Sequence, residues 1–339
     1  MGAPAGVSIR MNYDVEADFS PATTCNFRCA YCGIPDSLRG AGTRVYGTAE
    51  QWGDAFDSTG KVWLLHITGG EPFTYPGLVP LCERLARCHY LSINTNLSCR
   101  SAEDFAERID PGRVHFINAS VHYEERQAVG ALGAFIARAQ MLEAARFNTL
   151  LSLVMTPRMV DNFSDISARF ERDGLFLVPK MMRGAFEGQR YPGAYTPEHR
   201  ALLRDYLAAA RSNYAQTLAA MGEPPSQDMF SDGRFLEGLD CYHGRLCGSG
   251  YNFVAVTPEG NVFRCGTGQP LGNLLRKDVK LRDRPSPCDS SYCHYFCEKY
   301  TSARFAKESS ARVRPAPRAR AIRRLISRWV ARCGGSSAQ

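Results

Sequence analysis

Cys25, Cys29 and Cys32 stand in the string Cys-Asn-Phe-Arg-Cys-Ala-Tyr-Cys. Three thiolates at that spacing can wrap one metal site and leave it a ligand short. An open metal position is where a small molecule can bind and react. The spacing admits three chemistries: an iron–sulfur cluster, half of a zinc site, or a redox disulfide. A zinc site would usually take its fourth ligand at a short, regular distance, whereas the next cysteine is Cys82, inside a helix-like stretch. On these residues alone, iron and zinc both stand.

A second string follows the apolar run 62–68, which reads as a buried strand, and consists of Gly69, Gly70, Glu71 and Pro72. Two glycines at a strand end let the backbone approach a ligand closely, and the glutamate sets an acceptor beside it. An ordinary strand-to-helix turn would use the same residues. The Cys-x3-Cys-x2-Cys loop, with the aromatic Tyr31 before its third cysteine and Gly-Gly-Glu-Pro one strand later, resembles the radical SAM superfamily.

The resemblance implies a [4Fe–4S] cluster on Cys25, Cys29 and Cys32 whose open iron binds the amino and carboxylate groups of S-adenosylmethionine. Gly69, Gly70, Glu71 and Pro72 would then hold the amino group, and Tyr31 would lie near the adenine. Thr95, Asn96 and Ser120 would contact ribose and carboxylate. An electron from a donor such as flavodoxin or ferredoxin, passed through the cluster, would split the cofactor into methionine and a 5′-deoxyadenosyl radical that takes hydrogen from an unactivated carbon. As ordinary residues, Tyr31 is core packing and the strand-end polar groups cap backbone. His122 and Arg183, also at strand ends, are candidates to act on substrate as base or anchor, with a satisfied structural histidine as the commoner outcome. Cys82, Cys88 and Cys99 read as small buried hydrophobes.

The elements needed to position these groups alternate along the chain. Strand-like runs at 62–68, 90–96, 114–121, 149–156 and 175–181 are separated by helix-period stretches at 78–88, 102–109, 132–147 and 166–172. Ser101 with Asp104 reads as a capping box. With a strand before Cys25 this makes about six β–α units, hence parallel strands with covering helices. Six units are too few for a closed eight-stranded barrel, and the resemblance implies a partial (β/α)6 barrel. In such folds the reactive groups gather at the carboxyl ends of the strands. Thr196-Pro197-Glu198 opens a long helix to about Met221. The expected organisation is a barrel over 1–225, a Cys-rich unit over 226–300 and a basic tail over 301–339.

The Cys-rich unit holds Cys241, Cys247, Cys265, Cys288, Cys293 and Cys297, with two short strands around a Pro-Glu-Gly-Asn turn between Cys247 and Cys265. This layout resembles the SPASM or twitch extension that carries auxiliary clusters in many radical SAM enzymes. Cys247, Gly260 and Cys265 meet its spacing, and Gly272-Asn273 follows. The Cys-x2-Cys that should precede the last pair is missing, with Pro285 in its place, and Cys288 lies one residue too close to Cys293. The resemblance therefore implies one auxiliary [4Fe–4S] cluster on Cys241, Cys247, Cys265 and Cys297, with Cys293 in place of Cys241 as the alternative. A second cluster using Cys288 and Cys293 is short of ligands. Structural zinc suits four paired cysteines equally.

Composition narrows the class. Net charge is +7, yet from Thr301 onward the chain has ten Lys or Arg and one acid, leaving −2 on residues 1–300. A nucleic-acid-binding surface on the body is not implied. Thirteen cysteines without an export signal point to metal or catalysis, and a cytoplasmic location is expected. In the tail, Ile322, Leu325, Ile326, Trp329 and Val330 fall at helical spacing among arginines. That suits contact with an anionic membrane surface or a partner, and equally a charged disordered chain.

A non-catalytic iron–sulfur or zinc module would have no use for residues 69–72. The substrate expected from sequence is a small molecule such as a sugar or aminocyclitol, dehydrogenated or epimerised. Peptide maturation is the alternative, set second because only 24 residues precede Cys25 and leave no room for a leader-binding module.

Overall fold

The computed structural model describes residues 2–40, 42–222, 236, 243–244, 246–265 and 268–288. Six strands run parallel in chain order: β1 (Val15–Ala22), β2 (Trp63–Gly69), β3 (Tyr90–Thr95), β4 (Val114–Ser120), β5 (Thr149–Met155) and β6 (Leu177–Met181). After β1 come α1 (Asp36–Arg39) and α2 (Ala49–Asp57), after β2 α3 (Leu78–Ala86), and after β3 α4 (Ser101–Arg108). Helices α5 (Tyr123–Ala128) and α6 (Leu132–Ala144) follow β4, while α7 (Pro157–Asp161) and α8 (Phe163–Glu171) follow β5. Alternation along each strand divides its two faces. Phe19 of β1 meets Trp52 and Phe56 of α2 at ring distances of 4.8 and 5.5 Å, while Glu16 of β1 points to the other face, where it bonds His66 of β2. Burying each such ring contributes on the order of 1.5–3 kcal/mol.

The expected strand and helix positions hold, with local corrections. Ser101 is not a cap: its hydroxyl donates to the Phe73 carbonyl at 3.3 Å, and Arg100 stands at the N-cap in helical conformation. A capping box needs an extended N-cap residue, and Thr48 with Gln51 supplies it at α2. The long helix opens as expected on Thr196, whose hydroxyl accepts from the amide of His199. It ends at Asn213, so that α9 (Pro197–Asn213) and α10 (Ala215–Met221) are separate. Tyr214 makes the break by burying its ring; its hydroxyl donates to the Phe176 carbonyl at 2.5 Å and accepts from the Leu151 amide at 3.2 Å. Gly222, at φ +87°, closes α10. Phe116, Leu150 and Val178 pack with Ala3, Ala210, Tyr214 and Met221 in a second core cluster.

Past β6, β7 (Gly184–Phe186) and β8 (Gln189–Tyr191) form a hairpin, and β9 (Leu246–Cys247) pairs with β13 (Ser286–Pro287). The hairpin expected between Cys247 and Cys265 is present as β10 (Phe253–Val256) and β11 (Asn261–Phe263), followed by β12 (Pro270–Asn273). Strand β10 adds to the free edge of β1 in parallel, giving one sheet in the order β12-β11-β10-β1-β2-β3-β4-β5-β6. The described part of the Cys-rich segment thus continues the barrel sheet. Cys241, Cys293, Cys297, the 225/226 boundary and the tail lie outside the described residues. Among those described, no helix is long and apolar enough to cross a membrane.

Candidate active site

The carboxyl ends of β1 to β4 carry the cysteine loop, residues 69–72, Thr95-Asn96 and Ser120 with His122. The end of β2 is welded to the start of the cysteine loop: the amides of Gly70 and Glu71 donate to the carbonyls of Ala22 and Thr24 at 3.1 and 2.8 Å. Only glycine fits there. A Cβ on Gly69, which sits at φ +112°, would stand 2.3 Å from the Ala22 oxygen, and one on Gly70 would stand 2.0 Å from that of Thr24. The close approach these glycines permit is to the chain's own backbone, which sets the entry angle of the cysteine loop.

Glu71 is 1% exposed. Its Oε1 accepts from the Phe73 amide at 3.0 Å and the Thr95 hydroxyl at 2.7 Å, and its Oε2 from the Asn96 amide at 2.6 Å. Burial pushes its pKa above the usual carboxylate range, against the pull of these donors. The side chain acts as a bracket between the β2 turn and the end of β3. Thr95 and Asn96 belong to the same bracket: the Thr95 hydroxyl also accepts from the Leu97 amide, and the Asn96 amide group donates to Asn26 Oδ1 in the cysteine loop at 3.0 Å.

Within the loop, Cys29 is buried and Cys25 and Cys32 are half-buried. The Cys25 amide donates to the carbonyl of Arg39, whose buried guanidinium returns a bond to the carbonyl of Cys29. Opposite Cys29, Sγ lies 3.2 Å from His122 Nδ1, and the same nitrogen lies 2.9 Å from the Tyr31 hydroxyl. The His122 ring stacks on Tyr31 and meets Phe27 edge-on at 5.6 Å. Ligand atoms of Cys29, His122 and Glu125 fall within 4.8 Å of one another. Burial, then the nearby Arg126, lowers the His122 pKa to about 4, so the ring is neutral at pH 7. Burial raises the thiol of Cys29 and the phenol of Tyr31, with Glu125 adding to the rise of Cys29 and Cys29 to that of Tyr31. Free of metal, Cys29 is therefore a thiol.

Sequence reasoning missed Arg126. It is 1% exposed, lies between Phe27 and Phe135 at 5.2 and 4.3 Å, and donates through Nε to the Val121 carbonyl at 2.6 Å. Its Nη2 is buried and has no hydrogen-bond partner among the described residues. A buried cation with an unused N–H near Cys29 fits an anionic group, since a buried charge is costly unless paired; Glu71 and Glu125 already lie near enough to interact with it. The signal was its spacing one helical turn beyond His122, whose carbonyl accepts from the Arg126 amide at 3.1 Å at the start of α5.

Other expected residues are less gathered. Ser120 ends β4 half-buried, and Arg183 follows β6 by two residues, also half-buried. Cys82 is buried and Cys99 half-buried, but Cys88 is exposed, because it lies beyond the last buried turn of α3. In the Cys-rich segment Cys247, Cys265 and Cys288 are all buried. The β9–β13 pair sets Ser286 opposite Cys247, and the Gly244 amide donates to the Cys288 carbonyl, so Cys288 lies two residues past the position opposite Cys247.

Comparison with known proteins agrees with this geometry. Residues 19–139 match the radical SAM superfamily. The chain is 24% identical over 267 residues to the PqqA peptide cyclase of Rhodopseudomonas palustris, a match covering 74% of this chain and 66% of that protein. The chain thus spans about two thirds of that relative's length. It is 26% identical over 284 residues to the GTP 3′,8-cyclase of Ectopseudomonas mendocina, covering 78% of this chain and 82% of that one. Among solved structures, Streptococcus suis SuiB bound to S-adenosylmethionine aligns with a TM-score of 0.52 at 16% identity, over 78% of this chain and 64% of that one. The structure of anSMEcpe with bound AdoMet and the Cp18Cys peptide aligns with a TM-score of 0.52 at 14% identity, over 88% and 99%. The motif pair and the strand ends that carry it agree with the family match: residues 19–139 form a radical SAM domain.

Proposed function

We propose that this protein is a radical SAM enzyme that forms a bond within a peptide substrate. The observation that carries the catalytic part is the junction of the cysteine loop with residues 69–71 at the ends of β1 and β2. Cys25, Cys29 and Cys32 would hold the [4Fe–4S] cluster, and the unused Nη2 of Arg126 offers a buried cation to it or to the carboxylate of S-adenosylmethionine. Bound there, cluster and cofactor supply a one-electron cleavage that yields a 5′-deoxyadenosyl radical able to take hydrogen from carbon. The protein's part is positional. Glu71 fixes the turn, Asn96 ties the cysteine loop to β3, and the aromatic wall of Phe27 and Tyr31 keeps water from Cys29. Cys241, Cys247, Cys265 and Cys297 would hold an auxiliary cluster, whose chemistry is uptake of the electron left when a cross-link forms.

The peptide reading takes the place of the sugar or aminocyclitol expected from sequence. Its support is the peptide cyclase relative together with the fold shared with a peptide-bound enzyme structure. A nucleotide is the second reading, supported by the GTP cyclase relatives. The test is anaerobic reconstitution with iron and sulfide, then incubation with S-adenosylmethionine, reductant and short peptides encoded beside its gene. Loss of two hydrogens from a peptide, with 5′-deoxyadenosine released, supports the proposal. Consumption of GTP or an aminocyclitol with the peptides unchanged overturns it.

A further inference from the structure

We propose that His122 is a hydrogen-bond donor to the sulfur of Cys29 and so raises the reduction potential of the cluster held by Cys25, Cys29 and Cys32. The inference rests on the cluster assignment above and gives His122 a different job from the substrate base or anchor expected from sequence. The geometry is direct: Nδ1 lies 3.2 Å from Sγ. A metal-bound cysteine is a thiolate, which can only accept, so the proton of the contact must sit on Nδ1. The ring has little freedom to turn away. Tyr31 stacks on it, Phe27 closes its edge, and the Tyr31 hydroxyl lies 2.9 Å from the same nitrogen.

The backbone supports the same assignment. His122 sits at φ +45°, a left-handed conformation uncommon outside glycine, though histidine adopts it more readily than most residues. That turn ends β4 and starts α5, and it aims the ring back at the cysteine loop. Reduction adds a negative charge to a thiolate-held cluster, and an N–H donated to sulfur stabilises that charge. His122 is thus a positioning residue acting through Cys29, and its signature is a potential.

The test is a redox titration of the reconstituted full chain followed by electron paramagnetic resonance, reading the cluster component whose signal responds to S-adenosylmethionine. His122→Gly removes the donor and suits the left-handed backbone, while His122→Asn returns an amide N–H close to the place of Nδ1. Held at the wild-type midpoint, His122→Gly should lower the reduced-to-oxidised ratio about tenfold, which is about 59 mV for one electron, and His122→Asn should restore it. Independently of any variant's folding, wild-type protein with 15N-histidine should show weak nitrogen coupling to the reduced cluster, lost in His122→Asn. Unchanged ratios in a fully iron-loaded His122→Gly, or no 15N coupling in the wild type, would overturn the proposal. A wild type that loads no cofactor-responsive cluster overturns the functional reading instead.

Discussion

Glu71→Gln is the sharpest perturbation of the bracket that holds the site. The carboxylate takes three donors, with the Phe73 and Thr95 groups on Oε1 and the Asn96 amide on Oε2. Gln keeps one oxygen and turns the other into an NH2. Whichever way it lies, that NH2 faces a backbone N–H, of Phe73 or of Asn96, and leaves it buried without an acceptor. An unsatisfied buried group costs about 1–3 kcal/mol, and the remaining bonds lose the part owed to charge, roughly 1 kcal/mol more. Arg126 also loses a nearby buried anion. A total near 3 kcal/mol follows, or a fall of about 1 M in the urea midpoint at a slope of roughly 3 kcal/mol/M. The assay is urea unfolding of the metal-free protein under reducing conditions, with iron per chain measured after reconstitution. Because Glu71 stands beside the turn that bonds Thr24, iron in the cysteine loop should fall as well. A variant within about 0.5 kcal/mol of wild type, with full iron, would refute the bracket.

Three further outcomes follow from the same contacts. Gly70→Ala places a Cβ 2.0 Å from the Thr24 oxygen; overpacking against backbone should cost at least ~1–3 kcal/mol and displace the cysteine loop, so unchanged iron binding and melting temperature would contradict it. Glu143, on α6, is held by burial at a pKa of about 7, above the ordinary 4.5. The folded state therefore binds the extra proton, and stability is lost as pH rises from 4.5 towards 7. Discounted for partial exposure, Glu143→Gln should stabilise by about 1–2 kcal/mol at pH 8 and clearly less at pH 5; an equal gain in melting temperature at both refutes this. Tyr214→Phe strands the Leu151 amide and the Phe176 carbonyl and should cost about 2 kcal/mol in thermal unfolding, while a neutral substitution would remove Tyr214 from the α9–α10 break.

Much of the barrel was legible because its signals are local. Buried parallel strands such as 149–155 read as continuous apolar runs, and the Thr196-Pro197 start of α9 follows from capping chemistry. The cysteine triad stood out for the same reason, being three residues of one type within eight positions. Contacts that depend on the tertiary arrangement were not. Nothing in residues 69–72 announces that both glycines press on the carbonyls of residues 22–24, or that Glu71 closes on β3. Arg126 looks like a solvated helix charge until Phe27 and Phe135 enclose it. The attachment of β10 to β1 joins residues more than 230 positions apart, and short strands at that separation carry no periodic sign of their partner.

The account rests on Cys25, Cys29 and Cys32 holding an iron–sulfur cluster that acts on S-adenosylmethionine. The most direct measurement is iron content together with 5′-deoxyadenosine release, compared between wild type and a variant with all three changed to Ala, both reconstituted anaerobically. The account predicts that the variant holds about four fewer irons per chain, one cubane's worth, and releases no 5′-deoxyadenosine. Equal iron in the two proteins, or zinc in place of iron in the wild type, would contradict it.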